Sequence, residues 1–494
     1  MKRLRPLLPL FFVGAIAAVG LPPLSLWPIT LCALGYFSLR FQGLRRKRSG
    51  FWAGWLFALG YFTAGLYWVS NSLFVHIEQF WWALPFALLG LPVILALFWG
   101  FFCVFAVALT PINSIQRTVT LILAICLAEL ARGTLFTGFP WNEVGLIWSD
   151  VYLMVQSASL WGLLGLSFIT LTISFLSIHF KNRFCLAVIA LLLLVTLGYG
   201  FKSSQSYTKE DTTSSVRIVQ GNIAQKEKWI AEKLPLHIAN LLELSAQDSE
   251  LDNFTPDFII WPETSMISNY FEAEVYRDLI DQALGDKTLI TGILSLPSKT
   301  RGYANSLYVY ARNSDEVIRY DKHHLVPFGE YIPFNEFLNI SSLVGIEGFE
   351  AGQKPKPFKI GNLNVLPLIC YEIIFPKYAQ SNPRSDVIIN ITNDAWYGNS
   401  SGPYQHLAIA RFRAIEQGVP ILRAANTGIS AIIAPDGSID KSLELQTRGV
   451  VDGAIPKAKN GLTLYSRFGL YIQIGFIIVM ILSLIVRQQK NQLD

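Results

Sequence analysis

Cys370 is the residue of this sequence best placed to act as a nucleophile. The mostly apolar run 365–369 comes directly before it and predicts a buried strand over 364–371. A thiol that follows such a strand lies at the carboxyl edge of a sheet, where open α/β folds usually place their chemistry. A lone cysteine can also be a small buried hydrophobe. This position alone therefore leaves both interpretations open.

Two other residues stand after predicted strands in the same way. A thiol needs a base or a neighbouring positive charge to form its nucleophilic thiolate. Glu263 follows a predicted strand at 257–261, and Lys322 follows one at 316–320. If the strands of one sheet end at one edge, a carboxylate, an amine and a thiol meet there. Taken singly, Glu263 could instead neighbour a helix N-cap, and Lys322 could be a solvated hairpin lysine.

Glu372 lies two residues beyond the cysteine. On a continued strand, residues two apart point to the same face of the sheet. We therefore expect Glu372 to share the face of Cys370.

The elements that must position these residues alternate between strands and helices. Helices are predicted at 229–246, 271–284 and 403–417, and a hairpin is predicted around Asn313 and Ser314. The remaining predicted strands lie at 216–220, 288–294, 305–311, 386–391, 420–424, 429–434 and 448–454. Strand–helix alternation with hairpins predicts an α/β domain with a mixed sheet or two sheets.

The composition is that of a membrane protein. The chain has 494 residues, of which 52% are hydrophobic and 15% charged, and its mean hydropathy is +0.39. Nearly continuous apolar segments occupy 1–201, whereas 202–465 has an ordinary globular composition. We predict a seven-helix membrane domain at 1–201, a catalytic domain at 202–465, and an eighth transmembrane helix with a cytoplasmic tail at 466–494.

Basic residues beside the apolar spans predict the orientation. Eight spans are predicted, at 7–22, 24–40, 51–70, 82–110, 118–134, 158–179, 184–201 and 466–486. The N-terminus, the 40–48 loop, Arg117, the Lys181–Arg183 loop and the C-terminal tail then share one side, which the positive-inside rule makes the cytoplasm. The loops at 71–81 and 135–157 and the 202–465 domain fall on the opposite side. In a Gram-negative cell that side is the periplasm.

The rigid, aromatic outer loop 138–143 admits two interpretations. Its aromatic residues, including Trp141, could anchor the membrane interface or form a lip that guides lipid tails. In the span before this loop, Glu129 and Arg132 lie three residues apart on one helix face, and we expect them to pair.

Several classes of site and partner find no support in the sequence. Four of the five cysteines lie in apolar segments, and there is no CxxC or Cys/His cluster, so we predict no metal site. A phosphate-cradling glycine-rich loop is missing, so we predict no ATP and no other cofactor. Basic patches with interleaved aromatic residues are also missing, so we predict no nucleic-acid partner.

Three motifs carry a family resemblance. Trp261-Pro262-Glu263, Asp321-Lys322 with the 324–330 run, and Leu368-Ile369-Cys370-Tyr371-Glu372 resemble the motifs of the carbon–nitrogen hydrolase, or nitrilase, superfamily. That family uses a Glu-Lys-Cys triad on an αββα sandwich. Together with the eight spans and His-Leu-Val-Pro-Phe-Gly-Glu at 324–330, the chain is similar to the apolipoprotein N-acyltransferase branch. The segments 138–141, 220–222 with Trp229, and 392–398 also resemble that branch.

The resemblance implies acyl transfer in two steps. A phospholipid would donate its acyl chain to Cys370, giving a thioester, and the α-amine of a diacylglyceryl apolipoprotein would accept it. The implied catalytic residues are Glu263, Lys322 and Cys370; the implied supporting residues are Glu330, Tyr371 and Glu372; the implied pocket or gate residues are Trp229, Trp141 and Trp396. The protein would work as a monomer in a bacterial inner membrane, with its nitrilase-like domain in the periplasm.

Two other functions remain open at this point. A membrane-tethered amidase could use the same three residues, although a tether needs one span rather than eight. A non-enzymatic carrier or scaffold with a degenerate domain would lack one residue of the triad, and none is missing.

Overall fold

The computed structural model describes residues 5–296, 302–312, 314, 316–332, 348–475, 477–478 and 481. The chain divides into two compact units. The first, which we call the membrane unit, holds Met1–Tyr207, Ser400–Glu416 and Gly461–Asp494. The second, the catalytic unit, holds Thr208–Asn399 and Gln417–Asn460. The predicted boundaries differ from these units chiefly at Ser400–Glu416, which groups with the N-terminal helices.

The membrane unit is helical. Its described α-helices before residue 208 are α1 (Pro9–Ala17), α2 (Trp27–Gln42), α3 (Lys47–Leu66), α4 (Ile77–Phe80), α5 (Leu84–Leu109), α6 (Ile115–Thr134), α7 (Tyr152–Gln156), α8 (Ala158–Leu176) and α9 (Arg183–Gln205). Within the described part of the chain, three helical segments are long and apolar enough to cross a membrane: Trp81–Leu109, Ala158–His179 and Arg183–Gln205. The eight-span topology stays a prediction, and its last span, 466–486, lies partly outside the described residues.

The predicted pair on α6 is confirmed. Arg132 Nη2 lies 2.6 Å from Glu129 Oε2, and both side chains are fully buried. Arg132 Nη1 also donates hydrogen bonds to the backbone oxygens of Phe139 and Trp141, at 2.6 and 2.8 Å. These bonds hold the 138–143 loop against the end of α6, and the Trp141 ring is buried inside the unit.

The segment Ser400–Glu416 is fastened to the same region. Trp141 Nε1 donates a hydrogen bond of 2.9 Å to Gln405 Oε1. The backbone N–H of Leu163 donates one of 2.8 Å to Glu416 Oε1. Both contacts are buried, where a hydrogen bond left unmade would be costly. They explain why this stretch groups with the membrane unit although strands of the catalytic unit flank it in sequence.

The catalytic unit contains two β-sheets among its described residues. The strand order is β13-β1-β2-β4-β5-β6 in the first sheet, where β3 also pairs with β4, and β12-β11-β10-β9-β8-β7 in the second. The strands are β1 (Asp211–Gln220), β2 (Phe258–Ile260), β3 (Met266–Ile267), β4 (Thr288–Ser295), β5 (Ala304–Tyr310), β6 (Ile318–Asp321), β7 (Phe358–Ile360), β8 (Leu363–Ile369), β9 (Val387–Thr392), β10 (Ile421–Ala425), β11 (Ser430–Ile433), β12 (Ile439–Leu443) and β13 (Gly449–Pro456). The predicted α/β domain is confirmed.

Alternating residues of the first sheet serve two different cores. Ile218 and Ile260 pack toward residues of the second sheet, such as Ile369. Their chain neighbours Val219 and Ile259 face the opposite side. A strand points successive side chains to opposite faces, so one apolar run can supply both layers. Helices cover this opposite side of the first sheet.

The remaining described helices are α10 (Leu234–Ala246), α11 (Ser268–Glu272), α12 (Glu274–Leu284), α13 (Pro376–Ala379), α14 (Ser401–Gln417) and α15 (Leu464–Phe468). Leu241 of α10 and Ile280 of α12 lie in the outer core of the first sheet. The helix predicted from 229 begins only at Leu234, because Pro235 is tolerated in a first turn but not in a helix interior.

Several strand predictions need correction. β3, β7 and β12 were not predicted, because they are short or, like the mostly exposed β12, carry polar residues. The strand predicted over 364–371 ends at Ile369, where the chain turns into a 3-10 helix, Cys370–Ile374. The hairpin was predicted around residues 313 and 314, and residue 313 lies outside the described residues.

Candidate active site

Three strand ends supply the predicted triad. Glu263 follows β2, Lys322 follows β6 and Cys370 follows β8. The strands β2 and β4 are parallel, and β5 runs antiparallel to both β4 and β6, so β2 and β6 point the same way. β8 belongs to the other sheet. Glu263 and Lys322 therefore follow strands of one sheet and Cys370 follows a strand of the other, so the candidate site draws on the strand ends of two sheets and not of one.

Lys322 is held between two carboxylates. Its Nζ lies 2.8 Å from Glu330 Oε1 and 3.4 Å from Glu263 Oε1. Asn305 Nδ2 donates hydrogen bonds to the same two oxygens, at 2.7 Å to Glu263 and 3.0 Å to Glu330. The amide thus fixes both carboxylates around the amine.

Burial and charge set the protonation state of Lys322. Burial by itself lowers the pKa of an amine, because it disfavours the charged form. Here Glu330 and Glu263 outweigh that effect and raise the pKa of Lys322 above its usual value. The residue is therefore an ammonium ion at neutral pH and can stabilise a developing negative charge.

Cys370 has an unusual backbone and a protonated side chain. Its φ is +50°, a left-handed conformation that non-glycine residues adopt at a cost. The residue is 6% exposed. Burial and, to a smaller extent, the carboxylate of Glu263 raise the pKa of its thiol to about 12, although Lys322 opposes the rise. The resting thiol therefore needs a base, and Glu263 is the nearby candidate.

Glu372 occupies a different place from the one expected. Because β8 ends at Ile369, Glu372 folds back under the strand end instead of sharing a face with Cys370. Its Oε2 accepts a hydrogen bond from the Ile369 N–H at 2.8 Å. Its Oε1 accepts bonds from the Tyr320 hydroxyl at 2.7 Å and the His323 N–H at 2.8 Å. The buried carboxylate therefore ties the segment that carries Lys322 to the segment that carries Cys370.

The other predicted site residues are distributed unevenly. Tyr371 is buried and stacks on the His324 ring at 5.7 Å between centroids. Trp229 and Trp396 belong to the catalytic unit and are exposed. Trp141 belongs to the membrane unit. The roles of the three tryptophans as pocket or gate residues stay predictions.

Sequence reasoning missed four polar residues at the site. Asn305 holds the two carboxylates, and its signal was a buried amide near the start of the strand β5. Lys228 was overlooked because the sequence motif drew attention to its neighbour Trp229. Its Nζ donates a hydrogen bond of 3.0 Å to the backbone oxygen of Glu263. The others are Asp394 and Arg423.

Asp394 and Arg423 form a buried ion pair near Cys370, 2.7 Å from Nη2 to Oδ2. Thr392 donates a hydrogen bond of 2.9 Å to Asp394 Oδ1, and its side chain is also a hydrogen-bond partner of the Cys370 thiol. The pair therefore holds the hydroxyl that contacts the sulfur. Its residues come from β9, β10 and the turn after β9, which no local motif connects.

Two family models match the chain. The carbon–nitrogen hydrolase model matches residues 215–463, and the model of the apolipoprotein N-acyltransferase N-terminal domain matches residues 13–176. The three strand ends of the candidate site all lie within the first match.

Relatives match over nearly the whole length. The chain is 37% identical to the apolipoprotein N-acyltransferase of Rickettsia bellii, over 99% of this chain and 100% of that protein. It is 36% identical to the one from Agrobacterium fabrum, over 95% of this chain and 93% of that protein. A CN-hydrolase superfamily protein of Xanthomonas campestris aligns at 18% identity and a TM-score of 0.37, covering 54% of this chain and 97% of that structure.

Proposed function

The chain belongs to the apolipoprotein N-acyltransferase family, and from that membership we propose how its own residues perform acyl transfer. It is an enzyme that moves a fatty acyl chain from a phospholipid, through a cysteine thioester, to the N-terminal amine of an apolipoprotein. We assign the nucleophile to Cys370, the base to Glu263 and the charge-stabilising group to Lys322.

The first half-reaction forms the thioester. Glu263 takes the proton of the Cys370 thiol, and the sulfur attacks the ester carbonyl of the phospholipid. The negative charge that develops on the carbonyl oxygen is stabilised by Lys322 and by the backbone N–H of Tyr371. A donor of this kind contributes about 3–4 kcal/mol in other enzymes. The C–O bond then breaks, Glu263 returns the proton to the departing oxygen, and a lysophospholipid leaves.

The second half-reaction transfers the chain. The neutral α-amine of the diacylglyceryl-cysteine attacks the thioester carbonyl. Glu263 then removes a proton from the nitrogen of the new C–N bond. The C–S bond breaks and Cys370 recovers its proton. The thioester preserves the energy of the ester, so no nucleotide is needed, and exclusion of water favours the amine over hydrolysis.

The surroundings of the site follow from the same proposal. Both substrates are lipids, so attachment of the enzyme to the membrane raises their effective concentration. We propose that eight spans embed a monomer in the inner membrane, with the catalytic unit in the periplasm. Trp229, Trp396 and Trp141 would line or gate the path of the acyl chain.

The observation that carries the assignment is the position of Lys322. Its amine contacts the carboxylates of Glu263 and Glu330 directly and acts electrostatically on the Cys370 thiol. A carboxylate, an ammonium and a thiol from three distant motifs thus share one buried site. That is the minimum set for thioester chemistry by this route.

The test is to incubate the purified protein with phospholipid and search for an acyl adduct by mass spectrometry. We expect one acyl chain on the peptide that contains Cys370, and its loss when a diacylglyceryl-cysteine peptide is added, with N-acylated peptide as product. Cys32→Ala is the matched control, since Cys32 is a free cysteine that lies on α2. An unmodified Cys370, with turnover of small amides instead, would contradict the proposal.

A further inference from the structure

A second lysine reaches the same site from the loop after β1. Lys228 is 3% exposed, which is rare for a lysine without a function or a partner. Its Nζ donates a hydrogen bond of 3.0 Å to the backbone oxygen of Glu263. The reach is possible because β1 and β2 are parallel neighbours, so the segments that follow them leave the sheet at the same edge.

The ammonium of Lys228 acts on more than that one oxygen. It lies within electrostatic range of both the Glu263 carboxylate and the Cys370 sulfur. It also stands 5.7 Å from the centre of the Trp229 ring, a cation–π contact. In the same loop, Glu227 pairs with Lys233 at 2.6 Å on the surface. The carboxylate of Glu227 is therefore engaged there and not with Lys228.

The charges of the predicted triad and Glu330, taken together, do not balance. Glu263 and Glu330 carry two negative charges when ionised, and Lys322 carries one positive charge. A buried site with an excess negative charge opposes the formation of a thiolate and then of an oxyanion. Lys228 brings the net charge of this group to zero before the reaction begins.

We propose that Lys228 is a positioning residue of the acyl transfer: it fixes the backbone of Glu263 and supplies a second positive charge beside the Cys370 thiolate. The inference rests on the proposed function and adds to it a residue outside the Glu-Lys-Cys triad. Its geometry distinguishes it from Lys322, which contacts the carboxylates through its own amine and is held between them.

The proposal predicts a particular pH dependence. Burial lowers the pKa of Lys228 to about 8, although Glu263 and Cys370 oppose the fall. The positive charge is therefore present below about pH 8 and is lost above it. Lys322, which faces Lys228 across Glu263, keeps its charge over this range because its own pKa is raised. The thiol, with a pKa of about 12, also stays protonated.

The experiment measures the rate of Cys370 acylation by phospholipid, without acceptor, between about pH 6.5 and 9.5, a range that spans the shifted pKa and ends below that of an ordinary lysine. For the native chain we expect a rate that falls above pH 8. Lys228→Arg keeps its charge, so its rate should not fall in this range. Lys228→Met should be slower by roughly 10- to 100-fold at neutral pH and should lack the falling limb. Lys226→Met, an exposed lysine of the same loop, is the matched control and should behave like the native chain.

Two outcomes would overturn the inference. One is an unchanged acylation rate in Lys228→Met. The other is the same fall in rate above pH 8 in the native chain, Lys228→Arg and Lys228→Met. If the native chain forms no acyl adduct at all, the proposed function fails, and labelling of Cys370 by iodoacetamide then tests Lys228 separately. Labelling at neutral pH should be slower in Lys228→Met, and equal labelling would overturn the role of the lysine as well. Thermal unfolding of each variant shows whether a change reflects the fold.

Discussion

The two units each bury a group of charges near one of their glutamates, and the two groups differ in kind. In the membrane unit, Arg132 binds both oxygens of Glu129 and two backbone carbonyls. In the catalytic unit, Lys322 lies between Glu263 and Glu330 beside a thiol. A guanidinium presents its donors in a fixed planar fork, whereas an ammonium is a compact charge on a flexible stem.

This difference distinguishes a charged group that stabilises the fold from one that can take part in a reaction. Arg132 already satisfies Glu129 and two backbone carbonyls in the folded chain, so this group contributes to stability. The lysine group adjoins the thiol of Cys370, which has a left-handed backbone conformation, and in the proposed reaction its charge stabilises a new oxyanion. Burial of charge is therefore a poor sign of catalysis by itself. A buried charge that adjoins a reactive atom is a better one.

The largest effect is expected in the catalytic unit. Cys370→Ala should reduce acyl transfer by roughly 10⁴-fold or more, because the covalent route is lost. The free energy of unfolding should change little, since a free cysteine packs as a small hydrophobe and alanine differs from it by one sulfur atom. Turnover of labelled phospholipid and thermal unfolding in detergent measure the two quantities. Retained activity would rule out covalent catalysis at this residue.

The next effect falls on the membrane unit and should be the reverse. Arg132→Met leaves Glu129 buried without its partner and removes the bonds to the 138–143 loop. We expect a loss of about 3–5 kcal/mol in stability, as for other broken buried pairs. The double variant with Glu129→Gln should recover part of that loss. A single variant as stable as the native chain would contradict the comparison.

Glu372→Gln tests a residue that combines both roles. The carboxylate accepts bonds from two backbone segments and a hydroxyl, and an amide can replace only some of them. We expect a loss of roughly 2–3 kcal/mol in stability together with slower acyl transfer. Unfolding and activity measured on the same preparation test this prediction. A change in activity alone would mean that Glu372 acts on substrate rather than as a tie.

The smallest effect is expected for Glu330→Gln. It removes one of the two charges around Lys322 but keeps the size of the side chain and a hydrogen-bonding oxygen. Acylation of Cys370 should slow by roughly tenfold, the value of one charge-assisted hydrogen bond, with little change in unfolding. Glu316→Gln, at an exposed carboxylate before β6, is the control. Equal rates in both variants would remove Glu330 from the site.

The sequence predicted the parts of the site that depend on single strand ends. Glu263, Lys322 and Cys370 each follow an apolar run, and the strand pattern is local. It could not predict that two sheets contribute, because sheet membership depends on pairing between distant strands. It also missed Asn305 and Lys228, whose side chains reach the site across neighbouring segments.

The loop at 138–143 shows a second limit of sequence reasoning. Its aromatic composition indicated a surface at the membrane, either an anchor or a lip. The structure buries Trp141, whose Nε1 donates a hydrogen bond to Gln405, 264 positions away in the chain. Aromatic side chains suit an interface and a packed core equally well. Only the distant segment decides between them.

The chain passes from one unit to the other four times, after residues 207, 399, 416 and 460. A ribosome therefore releases the first helices well before it has made the stretch 400–416 that completes their packing. At ordinary translation speeds of 5–20 residues per second, the delay is roughly 10–40 s. During this interval the nascent helices expose the surfaces on which Gln405 and Glu416 will later rest, so biogenesis must protect an unfinished bundle while the enzyme's other half is still being synthesised.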